Sequence, residues 1–180
     1  MRSRSAVAGA LVVLLGVPLA IIGAAEFENA AEAIVHFALG ASFALFARAA
    51  FDFGLPSWVS TLSFAAIGVL AIVFLLQAAA DLTHSVQLRH LAYDILGQRF
   101  EKILGYGFLF WCAALLAWSS KGWTKVVGAV VLAIIVCVEL YSFAMTSGGS
   151  RAPEALKLLY LPLFVWLLAE GVKPRNAMAS

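Results

Sequence analysis

Ionisable side chains occur inside otherwise apolar stretches of this sequence, and their types are those that bind metals or transfer protons. Glu32 and His36 lie in one such stretch, and Glu139 lies near the end of another. A titratable group in apolar surroundings is costly unless it has a partner, so each of these side chains requires a hydrogen-bonding neighbour or a function. They are the first candidates for a functional site.

Polar residues also recur at helical spacing in two of the apolar stretches. Glu28, Glu32 and His36 are spaced i, i+4 and i+8, which places them on one face of a helix. The second set, spaced i, i+4 and i+7, consists of Gln77, Asp81 and His84. If successive helices run in opposite directions, both sets and Glu139 lie near the same end of the bundle. We expect these groups to converge, provided that the three helices are neighbours.

These residue types predict a metal- or cofactor-binding site. Imidazole nitrogen and carboxylate oxygen suit Zn, Fe or Mn, and a carboxylate behind a histidine fixes its tautomer. A bound metal would activate water, with a spare glutamate as base, for hydrolysis of a lipid-borne substrate. The predicted metal ligands are His36, His84, Glu32, Asp81 and Glu139. The residues predicted to support them are Glu28, Gln77, His90 and Asp94.

Other functions use the same groups. His36 and His84 from two helices could be axial ligands in a haem or quinone site, although no fixed spacing such as HExxH or CxxCH is present. Alternatively, Glu139 and His36 could relay protons or bind a cation in a small transporter or channel. A structural interpretation is that Glu139 accepts hydrogen bonds from Ser, Thr or Tyr side chains on neighbouring helices.

The composition indicates that the elements carrying these groups are membrane-spanning helices. The sequence is 63% hydrophobic and only 12% charged, with a mean hydropathy of +0.97, whereas soluble domains have about 25% charged residues. A spanning helix needs about 20 apolar residues. The predicted fold is a single-domain, all-α polytopic transmembrane bundle of about six spans, at residues 6–25, 30–47, 58–80, 103–119, 126–145 and 155–172. Pro162 is expected to kink the sixth span.

The connection between the third and fourth spans has a helical pattern of its own. Apolar residues recur on one face of residues 81–102, and polar residues lie on the other face. The apolar set is Leu88, Leu91, Ala92, Ile95, Leu96 and Phe100, and the polar set is Gln87, His90, Asp94, Gln98 and Glu101. This pattern predicts an amphipathic interfacial helix on the outer membrane surface, which forms a hydrophobic lid or a docking surface.

The distribution of charge predicts the orientation. With the N-terminus inside, seven Lys and Arg residues lie on the inner face and five on the outer face, which agrees with the retention of basic residues in cytoplasmic loops. We therefore predict an integral protein of a bacterial inner (plasma) membrane with both termini cytoplasmic. The alternative for residues 1–25 is a cleaved signal peptide, because two arginines precede the first apolar run.

Packing signals and charge limit the possible partners. Gly9, Gly16 and Gly23 repeat at seven-residue spacing, and Gly40 lies one turn beyond His36, so these faces should pack against other helices. The net charge of +2 is small and scattered, which argues against nucleic acid binding. The expected partners are the lipid bilayer and either a second membrane protein or another copy of the chain. If the partner is a second membrane protein, the alternative function is a non-catalytic subunit or assembly factor of a larger complex.

Overall fold

The protein is helical throughout its regular structure. The computed structural model describes residues 2–23, 28–147 and 160–173, and it contains no strand within those ranges. The helices are α1 (Arg4–Gly23), α2 (Glu28–Ala49), α3 (Ser57–Thr83), α4 (Val86–Arg89), a π-helical stretch (His90–Glu101), α5 (Lys102–Ala114), a π-helical turn (Leu115–Ser119), α6 (Trp123–Ser147) and α7 (Leu161–Val172). The predicted all-α class is confirmed for these residues.

Three of the described helices have the length and apolar character needed to cross a membrane. They contain the apolar segments Ala31–Ala49, Ser57–Thr83 and Trp123–Ser142. Shorter apolar helical segments are Arg4–Ala20, Ile103–Ser119 and Leu161–Val172. About 20 residues of α-helix extend about 30 Å, which is the thickness of the hydrocarbon core. The three long helices indicate an integral membrane protein.

Six of the described helices, three long and three shorter, form a closed ring. α1 packs against α2 and α7, α2 packs against α3, α3 packs against α5, and α6 packs against α5 and α7. α4 and the π-helical stretch, together called the connecting segment (86–101), pack mainly on the end of α3 and on α5. Each helix of the ring therefore has two helical neighbours, and their inner faces enclose a common core.

Glycines allow close contacts between neighbours in the ring. A Cβ added to Gly16 of α1 would lie 2.9 Å from Cβ of Ala38, and Gly9 lies against backbone and side chains of α2. Gly40 of α2 meets a leucine side chain of α3, 2.7 Å from the position of an added Cβ. The predicted packing faces at Gly9, Gly16 and Gly40 are thus confirmed, whereas the surroundings of Gly23 lie outside the described residues. Equally close contacts are made by Gly107, Gly128 and Gly171.

Aromatic rings fill the centre of the ring of helices. Phe43 and Phe46 of α2 contact Phe108 of α5, with ring centroids 5.0 and 5.5 Å apart. Phe46 also stacks on Phe164 of α7 at 6.0 Å, and Trp111 lies 5.8 Å from Phe46. Aromatic side chains bury large areas and prefer such edge-to-face and offset arrangements. They hold together helices whose backbones do not touch across the centre.

One end of the bundle, here called the Arg2 end, is closed by a buried ionic network. Nη1 of Arg2 lies 3.5 Å from Oε2 of Glu170, near the end of α7, and both side chains are almost fully buried. Arg2 also donates to the carbonyl oxygens of Phe53 and Ser119, at 3.0 and 3.2 Å. Burial lowers the pKa of Arg2, and the charge of Glu170 opposes that shift. The network connects the start of α1 to the turn after α2, to the end of the π-helical turn after α5, and to α7.

The same glutamate is held by residues on α6 and beyond α7. The hydroxyl of Thr124 donates to Oε1 of Glu170 at 2.6 Å, and Nζ of Lys173 donates to the same oxygen at 2.9 Å. The turns at this end are tight, because Gly54 and Gly122 adopt left-handed backbone angles with φ of 66° and 63°. Helix ends that are distant in sequence therefore meet at one buried carboxylate.

α7 covers the second part of the predicted sixth span, from Leu161 to Val172, with Pro162 near its first residue. Residues 148–159 lie outside the described part of the chain. The predicted start at residue 155 and the kink expected at Pro162 therefore stay predictions.

Candidate functional site

The opposite end of the bundle, here called the His36 end, contains a cavity lined by both polar and apolar residues. It lies where α1 ends and α2 begins, beside the connecting segment, and has a volume of about 910 Å³. Its lining consists of Ala20, Ala31, Glu32, Val35, His36, Val86, Arg89, His90, Tyr93 and Asp94. The volume lies within the range of about 300–1,000 Å³ that small-molecule sites occupy.

A buried carboxylate forms the centre of the site. Asp81, near the end of α3, is 2% exposed. Its Oδ2 atom lies 2.8 Å from Nδ1 of His36 on α2. The hydroxyl of Tyr93, in the π-helical stretch, donates to Oδ1 at 2.7 Å and lies 2.9 Å from Oδ2. Asp81, His36 and Tyr93, called the triad below, thus join three helical elements at one point.

The geometry of the triad fixes the hydrogen-bonding roles of its members. An ionised carboxylate is an acceptor only, so with Asp81 ionised both the Tyr93 hydroxyl and Nδ1 of His36 donate to it. The Tyr93 oxygen also lies 3.2 Å from Nδ1 of His36. A neutral His36 protonated on Nδ1 has its lone pair on Nε2. The cavity-lining imidazole therefore offers a ligand an acceptor.

Tyr93 is held in place by ring contacts as well as by hydrogen bonds. Its ring meets His36 edge-on at 5.8 Å between centroids, and His36 stacks on Phe74 of α3 at 6.1 Å. Burial is the largest cause of a raised pKa for Tyr93, and the hydrogen bond to Asp81 and its negative charge act in the same direction. The phenol therefore stays protonated and remains a donor to Asp81 at neutral pH.

Tyr93 and Arg89 are the site residues that sequence reasoning missed. Neither residue belongs to the polar set that the helical spacing predicts for the connecting segment. Residues 90–101 form a π-helix, whose i→i+5 hydrogen bonds rotate the chain less per residue than an α-helix does. The α-helical period used for the prediction is therefore not the period of this stretch, although Ala92 of the predicted apolar face is buried. Nη2 of Arg89 lies 3.9 Å from Oδ1 of Asp81, and the only sequence signal was a basic residue beside polar neighbours.

His84 terminates α3 instead of extending its polar face. The residue has a φ of 51°, and its backbone N–H donates to the carbonyl of Ala80 at 3.1 Å, a left-handed C-cap. The helical spacing from Gln77 through Asp81 therefore ends before His84. Its side chain is exposed and is not part of the cavity lining. Ser85 then caps α4 by accepting from the N–H of Leu88 at 3.4 Å.

Glu139 occupies a different part of the bundle. It lies on α6, and α6 contacts only α5, its π-helical turn and α7 among the described elements. The hydroxyl of Tyr160, just before α7, donates to Oε1 of Glu139. This contact agrees with the structural interpretation of Glu139 as an acceptor for a neighbouring side chain. The structure does not bring Glu139 to the triad.

The remaining predicted residues surround the triad to different degrees. Gln77 is buried one turn before Asp81. His90 and Asp94 form an exposed pair along the connecting segment, with 2.9 Å between Nδ1 and Oδ2, and both line the cavity. Glu32 also lines the cavity and has an exposed side chain. The side chain of Glu28 lies outside the described residues.

Within the described ranges, no group of three His, Cys, Asp or Glu side chains is arranged to hold a metal ion. Of the five predicted ligands, the structure joins His36 to Asp81 and places Glu32 on the same cavity. An imidazole backed by a carboxylate is the arrangement that orients a metal ligand, but it also orients a general base or a hydrogen-bond acceptor. The five-ligand metal site stays a prediction.

Comparisons with known proteins add no assignment to this geometry. No protein-family model, curated protein or solved structure gives a significant match to the chain.

Proposed function

We propose that this chain is a six-span membrane protein that binds a small ligand in the cavity at its His36 end, with His36 as the contacting group. The observation that carries the proposal is the triad itself. A nearly buried aspartate holds the imidazole by one nitrogen and leaves the other nitrogen of a cavity-lining side chain for a ligand. Pockets with a few convergent polar groups are typical of ligand sites.

The topology is supported by the Arg2 end. α1, α3 and α6 begin at this end, while α2, the π-helical turn after α5 and α7 finish there. Six helical segments running alternately in opposite directions have such an arrangement. The shorter segments are apolar as well. The packing of α1 between α2 and α7 also supports its retention as a first span and not as a cleaved signal peptide.

The orientation is supported by the charges at the two ends. Basic side chains at the Arg2 end include Arg2, Arg4, Arg48, Lys121, Lys125 and Lys173. The carboxylates Glu32, Asp81 and Asp94 lie at the His36 end. Since basic residues are retained in the cytoplasm, we propose that the Arg2 end is cytoplasmic in a bacterial inner membrane. The connecting segment then lies at the outer surface as an interfacial cover.

A pair of cysteine variants with similar exposure tests the topology. Leu82→Cys lies at the His36 end and Phe51→Cys at the Arg2 end, and the native side chains are 67% and 51% exposed. Both are made with Cys137→Ser, because Cys137 is exposed whereas Cys112 is buried. In intact cells a membrane-impermeant maleimide should label Leu82→Cys, and it should label Phe51→Cys only after permeabilisation. The reverse pattern would overturn the orientation, and equal labelling would overturn the crossing by α3.

The binding site is tested by what co-purifies with the protein. Elemental analysis, an absorption spectrum and mass spectrometry of extracted small molecules are compared between the wild type, His36→Gln and His84→Gln. We expect one species in stoichiometric amount in the wild type and in His84→Gln, and its loss in His36→Gln with circular dichroism unchanged. Equal content in both variants, or none in the wild type, would contradict a ligand site at His36.

A further inference from the structure

The buried part of the cavity offers a ligand acceptors and no donors. Both the Nδ1 proton of His36 and the hydroxyl proton of Tyr93 are directed at Asp81, so neither is left for a ligand. The acceptors that remain are the Nε2 lone pair of His36 and the carboxylates of Glu32 and Asp94, while Arg89 and His90, which are exposed, also line the cavity and carry N–H donors. A ligand that satisfies these groups must itself carry N–H or O–H donors.

The charge balance of the cavity is negative. Arg89 lies against Asp81 at 3.9 Å, so these two charges offset each other. Asp94 pairs with His90 at 2.9 Å, and the pair is neutral only if His90 is protonated. Glu32 has no hydrogen bond or ion pair with another described side chain. With His36 neutral, the described part of the lining is thus negative by one charge or more, which favours a cation.

The rest of the described lining is apolar. Ala20 of α1, Ala31 and Val35 of α2 and Val86 of α4 supply these contacts. α1 and α2 have no close backbone contact with the connecting segment among the described residues, and the cavity lies between them. A ligand here can place a polar head at His36 and Glu32 while an apolar portion lies against these aliphatic side chains.

We propose that the ligand is an amphiphile with a primary ammonium head, in which the ammonium donates to Nε2 of His36 and to the carboxylate of Glu32. The inference rests on the proposed function and specifies the ligand of that site. A primary ammonium carries three donors and one positive charge, which match two acceptors and an uncompensated carboxylate. Its apolar chain lies along α1 and α2.

Two sources can supply this chemistry, a lipid headgroup such as phosphatidylethanolamine or a free long-chain amine. They are distinguished by the membrane in which the protein is measured. Phosphatidylcholine has a quaternary ammonium without N–H donors, so nanodiscs of this lipid provide a background without the ligand. Phosphatidylethanolamine nanodiscs present the headgroup, and decylamine added to phosphatidylcholine nanodiscs presents the free amine.

The experiment measures the Tm by intrinsic tryptophan fluorescence, since the chain contains five tryptophans. Decylamine, decanol and decyl sulfate are compared at equal concentrations in phosphatidylcholine nanodiscs. At an excess of about 100 times Kd, decylamine should raise the Tm of the wild type by about 5 °C. Glu32→Gln and His36→Gln should lose most of this shift. His84→Gln, whose side chain is exposed outside the cavity, is the matched control and should keep it.

The outcomes separate this inference from the proposed function. A wild-type Tm that is higher in phosphatidylethanolamine than in phosphatidylcholine, with no such difference in Glu32→Gln, supports the lipid headgroup as the source. Stabilisation by decyl sulfate or decanol that requires His36 would overturn the ammonium head and leave the site standing. The absence of any difference between wild type and Glu32→Gln with every probe would overturn this inference, while co-purification decides the site independently.

Discussion

The Nδ1 atom of His36 lies 2.8 Å from the Oδ2 atom of Asp81, although the two residues are 45 positions apart in the chain. The pair links α2 to α3 at the end where the cavity opens. Because the carboxylate can only accept, the pair determines which imidazole nitrogen carries the proton and which one is left for a ligand. This relationship leads directly to a measurable property of His36.

The tautomer of His36 should depend on Asp81. At a pH where the ring is neutral, we expect ¹⁵N NMR to show His36 protonated on Nδ1 in the wild type. Asp81→Asn removes the acceptor charge and should abolish this preference, because the amide is a weaker acceptor than the carboxylate. The exposed His84 serves as the internal control and should give the same spectrum in both proteins. A proton on Nε2 of His36 in the wild type would contradict the assignment.

Tyr93 should not ionise where ordinary phenols do, at a pKa of about 10. Its pKa is raised, first by burial and then by Asp81. A raised folded-state pKa contributes stability that is complete below the unfolded pKa and is lost as the pH rises through the folded pKa. The stabilisation that depends on Tyr93 should therefore persist through neutral pH and decline only in strongly alkaline solution.

The measurement is a titration of absorbance at 295 nm between about pH 9 and 11, which brackets the ordinary phenol. In the folded protein, wild type and Tyr93→Phe should give the same amplitude. In denaturant, the variant should lose one of the four tyrosine contributions, because Tyr93 then ionises like any other phenol. A smaller amplitude for folded Tyr93→Phe would show that the phenol ionises normally.

Removal of the buried carboxylate at the Arg2 end should be strongly destabilising. Glu170→Gln leaves Arg2 buried without its counter-charge, and breaking a buried ion pair in this way costs about 3–5 kcal/mol. The matched control is Arg48→Ala, which breaks an exposed pair with Asp52, where the distance is 3.8 Å. An exposed pair contributes about 0–1 kcal/mol. Unfolding free energies of both variants are measured in the same detergent, and equal losses would contradict a special role for the buried network.

The contact between α6 and α7 should be sensitive to a single methyl group. A Cβ added to Gly128 would lie 2.5 Å from Cε2 of Trp166, and that indole is buried and donates to the carbonyl of Thr124 at 2.9 Å. Gly128→Ala should therefore destabilise the protein by about 1–3 kcal/mol through overpacking.

Gly68→Ala is the control for this substitution. Gly68 lies inside α3, and no atom lies within 4 Å of an added Cβ. Alanine is the better helix former, so this variant should gain about 0.4–1 kcal/mol. Thermal unfolding of the two variants should therefore shift in opposite directions. A rise in the Tm of Gly128→Ala, as expected for Gly68→Ala, would mean that Trp166 moves aside without cost.

Sequence alone determined the features that depend on composition and on the helical spacing of nearby residues. The apolar stretches follow from hydropathy, since lipid-exposed helices need long runs without charge. The stripe from Glu32 to His36 follows from the α-helical period, and so does the packing face of Gly9 and Gly16. Asp81 could be proposed as a partner because α2 and α3 are consecutive helices joined by a short turn. These predictions need only neighbouring residues and one helical period.

Tertiary structure decided which distant groups meet. Tyr93, in the π-helical stretch, donates to Asp81, and the left-handed backbone of His84 ended the face that the period predicted to continue. Arg2 and Ser119 meet across 117 positions of sequence, and no local pattern encodes such a contact. The sequence alone specified an apolar helical chain with costly polar groups, whereas the closure of the ring decided that His36 joins the triad and that Glu139 pairs with Tyr160. The physical reason is that a buried polar group must be satisfied by whichever partner the packing brings within hydrogen-bonding distance.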